Sequence, residues 1–313
     1  QDSLSTPPHP TKKGGGGVAR SIGNSLEAAN TIPVSVSDDS LRFLIIGDWG
    51  GPGREPQRDV AKAMDRIATS DPQHEIHFIA STGDNMYEDG IASVHDKKLQ
   101  RNFENVYTQP SLQVRWYMSL GNHDHGAHGV MRDAQAEVNY SKVSRRWFLP
   151  STYYSQRFYV SKKDEGAVHH SYIVDLFVLD TYDYSPRVTQ MTEAQLKWFE
   201  KALHDSVASG SAVRLVIGHR PLYSAGAKHG SSPYMQKKLE PLFAKYGVSA
   251  YMCGDDHELQ VLQSKGVLHL LSGGGARAKK DLKPNGVPQT VFQAGVHGFM
   301  WAKVNRTEID VEL

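Results

Sequence analysis

Cysteine is almost missing from this chain of 313 residues: Cys253 stands alone, so no internal disulfide can staple the fold. Long apolar runs are missing as well. Nothing approaches the roughly 20 residues a helix needs to cross a bilayer, and no signal-like segment opens the sequence. Charge of one sign is not in excess either. The formal net charge is +1 with both signs mixed along the chain, which leaves no basic stripe of the kind that grips a phosphate backbone, so nucleic acid is not an expected partner. Internal repeats are absent too. What is there is a chain with 39% apolar residues, enough for a substantial core and of a length that suits one large α/β domain.

Residues 1–37 read as a disordered, low-complexity leader: Pro7, Pro8 and Pro10 give way to Lys12, Lys13 and the run Gly14 to Gly17, with little apolar material to order them. The functional domain is expected over residues 38–313. Short β-rich runs then recur at Leu41 to Ile46, Glu75 to Ser81, Val114 to Ser119, Tyr172 to Leu179, Val213 to Ile217, Ser249 to Cys253 and Val267 to Leu271. Helical patterns lie between several of them. From Thr192 to Val207, Thr192 and Gln195 have capping-box spacing and Leu196, Phe199, Leu203 and Val207 fall on one face. Val60, Met64 and Ile67 make a second stripe. Such alternation predicts layered α/β architecture with helices covering the sheets.

The residues that follow the strands are more telling. Ile46 runs into Gly47-Asp48; Ser81 leads to Gly83-Asp84 with Tyr87 beyond; Leu120 into Gly121-Asn122-His123; Ile217 into Gly218-His219; and Cys253 into Gly254-Asp255-Asp256-His257. Taken singly, Asp48 or Asp84 reads as a turn cap, Asn122 as a turn residue, His219 as a hydrogen-bonded histidine and Tyr87 as a core aromatic with a wet hydroxyl. Five such endings together point elsewhere. Ligands gather at the carboxyl ends of strands in α/β sheets, and a pair of hard metal ions needs this mixture of oxygen and nitrogen donors.

In order, "GDWG", "GDNMY", "GNHDH", "GHRPLY" and "CGDDHELQ" resemble the motifs of the metallophosphoesterase superfamily. The closer likeness is to its small, tartrate-resistant type of purple acid phosphatase, and it extends through "DKKLQRNFENVY", "VNYSKVSRRWFLP" and "LEPLFAKYGVSAYMCG" over roughly residues 40–305. The resemblance implies a four-layer αββα sandwich of two mixed sheets flanked by helices, the calcineurin-like fold, and a binuclear site. Asp48, Asp84, Tyr87 and His257 would hold Fe(III). Asp84 would bridge to a divalent ion, Fe, Zn, Mn or Mg, that also takes Asn122, His219 and position 255. The reaction implied is phosphomonoester hydrolysis by in-line attack of a metal-bound hydroxide, with His123 and His229 binding phosphate and protonating the leaving group. Asp124 and His125 are expected to order His123. The substrates implied are small phosphate esters or phosphoproteins.

One ligand departs from the pattern. The family reads Gly-His-Asp-His where this chain reads Gly254-Asp255-Asp256-His257, so a carboxylate replaces an imidazole on the divalent ion. An ionised Asp255 cancels the small positive charge the pattern leaves on the metal pair. The expected consequences are weaker attraction for phosphate, a less acidic bound water and a preference for harder ions such as manganese or magnesium. An altered ligand also admits a second reading, a weakly active or inactive phosphatase-fold scaffold or receptor that binds a protein partner. A phosphodiesterase or nucleotidase of the same superfamily fits the metal site but not the detailed likeness.

Other features are set aside. His9, His74, His77, His95, His128, His169, His170 and His204 lie outside the motifs, and Arg277, Lys279, Lys280 and Lys283 form a small basic loop that could meet an anionic substrate but reads rather as a solvated face. Gly273 to Gly275 lacks the spaced lysine of a phosphate loop, and Cys253 reads as a buried strand residue. Activation by cleavage is not expected, because Thr181 to Pro186 leads quickly into the helix at Thr192. A chain opening on Gln1, with glycosylation triplets at Asn139 and Asn305, gives the expectation of a secreted, lysosomal or vacuolar, or cell-surface glycoprotein.

Overall fold

A computed structural model describes residues 31–51, 53, 55–126, 130, 132, 134–161, 163–164, 167–168, 172–182, 184–185, 188–189, 191–280 and 282–313. Most of the expected leader, and His9, His128, His169 and His170, lie outside the described residues. In chain order the main strands are β1 (Val34–Val36), β2 (Leu41–Ile46), β3 (Phe78–Ser81), β4 (Arg115–Met118), β5 (Trp147–Phe148), β6 (Tyr154–Val160) and β7 (Tyr172–Val178). They continue as β8 (Val213–Ile217), β9 (Ala250–Cys253), β10 (Leu259–Ser264), β11 (Val267–Ser272), β12 (Thr290–Ala294), β13 (Met300–Val304) and β14 (Ile309–Glu312). The principal helices are α1 (Glu55–Ser70), α2 (Glu193–Ala208) and α3 (Pro233–Tyr246).

Two mixed sheets form. One runs β14-β13-β2-β3-β4-β5 and the other β1-β6-β7-β8-β9-β11-β10-β12. Parallel pairing runs from β2 through β5 in the first and through β7, β8, β9 and β11 in the second. Pairing begins at Val34, where β1 adds in parallel to β6, so regular structure starts inside the stretch assigned to the leader. Val34 and Val36 are what allow it: β-branched side chains at alternate positions suit a strand on a sheet edge.

The layering follows from strand alternation. Along β8, Leu215 and Ile217 join the core between the sheets while Val216 joins a second core under α2 and α3; along β9, Ala250 and Met252 do the first and Tyr251 and Cys253 the second. Both faces are covered, which is why these strands read as nearly unbroken apolar runs. On the other side Val60 and Met64 of α1 are buried against the first sheet. The result is helix, sheet, sheet, helix, as expected.

The Thr192 side chain caps α2 by accepting from the Gln195 amide, the arrangement its spacing predicts. The stripe is narrower than expected. Phe199 and Leu203 are buried, but Val207 is 49% exposed, because at the last turn the helix leaves the sheet and buried Ser206 takes the inward position. Helix α3 ends on Gly247 at φ 62°, a left-handed cap that glycine adopts without strain.

Candidate metal centre

The carboxyl ends of the parallel strands are level. Ile46 pairs with Ser81 and Ser81 with Met118, while Ile217 pairs with Met252 across the other sheet. The turns that follow each end therefore meet. Asp48 N donates to the Gly83 carbonyl, Gly254 N to the His219 carbonyl, and across the sheets Asp255 N donates to Asp48 Oδ2 at 3.1 Å. The turns are tight enough that Asp48, Asp84 and Asp255 take φ of 57°, 53° and 70°, a region non-glycine residues seldom occupy and one that concentrates at functional sites. Close approach makes the neighbouring glycines necessary. A Cβ on Gly121 would fall 2.2 Å from Asp84 Oδ1, and one on Gly254 would fall 2.4 Å from Asp48 Oδ2.

Every candidate site residue converges here. Around Asp48, the Tyr87 hydroxyl donates to Oδ1 at 3.0 Å, and His257 Nε2 lies 3.4 Å from the same oxygen and 3.3 Å from the phenol. Asp48, Asp84 and His257 offer ligand atoms all within 4.8 Å of one another. On the far side of Asp84, His219 Nε2 lies 3.4 Å from Asp84 Oδ1, 3.3 Å from Asn122 Oδ1 and 3.6 Å from Asp255 Oδ1. Asp84 thus adjoins both groups. His123 Nε2 is 3.9 Å from Asp84 Oδ2, and His229 Nδ1 is 3.9 Å from Asp255 Oδ1.

This donor set fits a pair of cations. Separations of roughly 3 to 3.5 Å are those of donors about 2.1 Å from a common ion. Asp48, Asp84 and Asp255 are buried, and their ionic partners are imidazoles, so several buried carboxylates and a phenol share one small space. Charges buried in this way need a compensating cation. The protonation tendencies register that need. Burial pushes the Asp48 carboxyl up and the Tyr87 phenol well up, with Asp48 and Asp84 adding to the second effect. Burial alone would lower His219, but Asp84 and Asp255 raise it well above the usual imidazole range. Asp255, although burial opposes its charge, is brought down to about 2 by the hydrogen bond and charge of His219, with His229 and Arg220 helping.

The supporting contacts differ in part from expectation. His219 Nδ1 faces the Thr82 carbonyl at 2.7 Å, so Nδ1 donates there, and a cation taking the place of the Nε2 proton would find that nitrogen directed at the carboxylates. His123 is held through Nδ1 by the Glu88 carbonyl. Asp124 instead ties two turns together, accepting from the amides of Asn85, Met86 and Gly121, and His125 pairs with Asp180 at 3.0 Å. Cys253 is buried, as expected.

Four contributors were not legible as such. Asp256 accepts from the amides of His229 and Gly230 and from the Ser224 hydroxyl, fixing the His229 loop. The Tyr182 hydroxyl donates to Asp255 Oδ2 at 3.1 Å, and the Arg220 guanidinium lies 5.4 Å from the Tyr182 ring centre. Arg277, set aside above as a solvated residue, stacks on Tyr87 with its guanidinium carbon 4.0 Å from the ring centre. The signal for Arg277 was a sixth strand ending: β11 runs into Gly273, whose Cβ would approach the Asp256 carbonyl to 2.0 Å. A separate apolar cleft of about 680 Å³ lies between α1 and the β12–β13 connection and contains none of these residues.

Residues 41–259 match the calcineurin-like phosphoesterase family. The chain is 37% identical over 292 residues to tartrate-resistant acid phosphatase type 5 of Oryctolagus cuniculus, covering 87% of this chain and 86% of that protein. It is 34% identical to purple acid phosphatase 3 of Arabidopsis thaliana, covering 92% of this chain and 78% of the other. Among solved structures, GAP50, the anchor in the inner membrane complex of Plasmodium, is similar in fold with a TM-score of 0.74 at 21% identity over 88% of this chain and 84% of that one. Purple acid phosphatase PPD1 of yellow lupin (Lupinus luteus) aligns with a TM-score of 0.61 at 17% identity over 88% of this chain and 51% of that one.

Proposed function

The chain belongs to the calcineurin-like phosphoesterase family and, within it, to the purple acid phosphatases of the tartrate-resistant type, and from that premise we infer a metal-dependent acid phosphatase that hydrolyses phosphate monoesters. The observation that carries this reading is the meeting of Asp48, Asp84, Tyr87, Asn122, His219, Asp255 and His257 at the ends of five strands. Asp48, Tyr87 and His257, with Asp84, would hold Fe(III). Asn122, His219 and Asp255, sharing Asp84, would hold a divalent ion such as Fe, Zn, Mn or Mg. When bound, such a pair neutralises phosphoryl oxygens and acidifies the water it ligates.

The protein's own side chains do the rest. His219, donating a hydrogen bond from Nδ1 to the Thr82 carbonyl, offers Nε2 as the ligand atom for a cation. His123, anchored by Glu88, turns Nε2 toward Asp84, where it can carry a proton to the leaving oxygen. His229 approaches from the other side, its loop held by Asp256, and offers a second imidazole that can pass a proton to the leaving group.

The test is turnover of 4-nitrophenyl phosphate across acidic to neutral pH, with metal analysis and a visible spectrum of the same sample. Activity with two metals per chain and an absorption band lost in Tyr87→Phe supports the reading. Metal-loaded protein without turnover would favour the scaffold reading, toward which the likeness to an anchor protein inclines. Export from the cytosol rests on the Asn139 and Asn305 triplets, and deglycosylation of protein from the native host checks it. Among the described residues no helix is long and apolar enough to cross a membrane.

A further inference from the structure

Arg277 occupies a place that a solvated surface residue has no reason to hold. Its loop is strapped to the metal-binding turns by backbone: Gly275 N donates to the Gly47 carbonyl, Ala276 N to the Asp48 carbonyl, and Lys279 N to the His257 carbonyl. Arg277 therefore stands between the turns that carry Asp48 and His257. Its guanidinium carbon lies 4.0 Å from the ring centre of Tyr87, whose hydroxyl points at Asp48. The same guanidinium is ion-paired with Glu88. Glu88 follows Tyr87 directly, and its carbonyl holds His123. The side chains of Arg277 and Glu88 are 35% and 51% exposed, so solvent and solutes reach the pair from the mouth of the site.

The ion pair is exposed and worth little in itself. A guanidinium already stacked on a ring is preorganised to grip an anion with both of its parallel N–H groups. Glu88 supplies such an anion from within the chain, a carboxylate beside the metal ligand Tyr87. A substrate whose scissile phosphate is held by the metal-binding turns, and whose alcohol portion carries a carboxylate or second phosphate, would present the same chemistry to the same fork.

We propose that Arg277 is a specificity-determining residue that exchanges Glu88 for an anionic group on the leaving-group side of the substrate, selecting phosphate esters that bear a second negative charge near the scissile phosphorus. The proposal rests on the phosphatase reading given above. It gives Glu88 the part of a competitor that holds Arg277 in place until such a substrate arrives.

The test uses two nearly isosteric esters, glycerol 2-phosphate and 2-phosphoglycerate, which differ in one carboxylate. With metal-loaded protein, the wild type is expected to favour 2-phosphoglycerate in kcat/KM. Arg277→Gln should lower that value for 2-phosphoglycerate by roughly tenfold more than for glycerol 2-phosphate, mainly through KM, and Arg277→Lys should fall between because it keeps the charge but not the fork. Glu88→Gln should widen the preference. Equal losses on both esters, or no change in their ratio, would overturn the proposal: the first outcome makes Arg277 a support for Tyr87 and the second a bystander. Failure of the wild type to turn over either ester would count against the phosphatase reading instead. In that case calorimetric binding of the same two compounds to wild type and Arg277→Gln measures the same ratio, and an unchanged ratio again overturns the assignment.

Discussion

The Tyr182 hydroxyl donates to Asp255 Oδ2, while Asp255 Oδ1 faces His219. One oxygen of Asp255 is thus spoken for, and the other is left for a cation. Arg220, close over the Tyr182 ring, helps to offset the charge that the carboxylate brings. Asp255→His is expected to raise turnover at least severalfold, shift the acid limb of the pH profile downward and move metal content toward softer ions. Tyr182→Phe should lower selectivity among divalent ions by freeing Oδ2 to chelate. Unchanged turnover, pH profile and metal content in Asp255→His would falsify the electrostatic account of this position.

Asp256 holds the His229 loop through two amides and a hydroxyl. Asp256→Ala should reduce kcat by about a hundredfold, the lower end of what a positioned general acid contributes, with metal stoichiometry intact. His229→Ala should do the same, and the double variant should be no worse than either alone. Additive losses would show that the two residues act separately.

Gly121 has no room for a methyl group beside Asp84. Gly121→Ala should abolish most activity and at least one metal equivalent while the far-ultraviolet spectrum stays native. Gly210 is the control: it has φ of 74° but nothing within 4 Å of an added Cβ, so Gly210→Ala should cost about 1 kcal/mol of stability and leave metal binding alone. Metal analysis and a urea titration of both variants decide the matter.

His269 in β11 is buried far from bulk water, with its ring edge-on to Tyr223, and burial pulls its pKa from 6.5 down to about 4. A lowered folded-state value means that the unfolded chain binds the proton first. The stability contribution is therefore whole above about pH 6.5 and drains away as pH falls toward 4, by on the order of 3 kcal/mol. His269→Phe, of similar shape, should flatten the urea midpoint across that window. A variant as acid-sensitive as the parent would place the liability elsewhere.

Much of this could be read from the order of residues because the informative strands are covered on both faces and end in glycine. β2 and β8 are found with the bounds their apolar runs suggest, and all nine candidate site residues meet. The strands that were missed are of another kind. β6 alternates buried and half-buried positions and carries Arg157, which makes sense only once Asp175 is seen to pair with it across the sheet at 2.7 Å. Helix α3 was missed for a local reason, Pro241 in its interior, which packing of Met235, Leu239 and Phe243 outweighs. Arg277 and Tyr182 were not legible as site residues because their partners are distant in sequence, Glu88 lying 189 positions from Arg277 and Asp255 lying 73 positions from Tyr182, and only the folded strand ends bring them together.

Three aspartates held in left-handed backbone geometry carry a further implication. Each costs about 1 kcal/mol in torsion, and glycine would relieve it. A version with glycine at 48, 84 and 255 should melt higher than the parent while binding nothing, so ruggedness and reactivity pull this sequence in opposite directions. Selection for a hardier protein, left unchecked, would disarm it from the main chain outward.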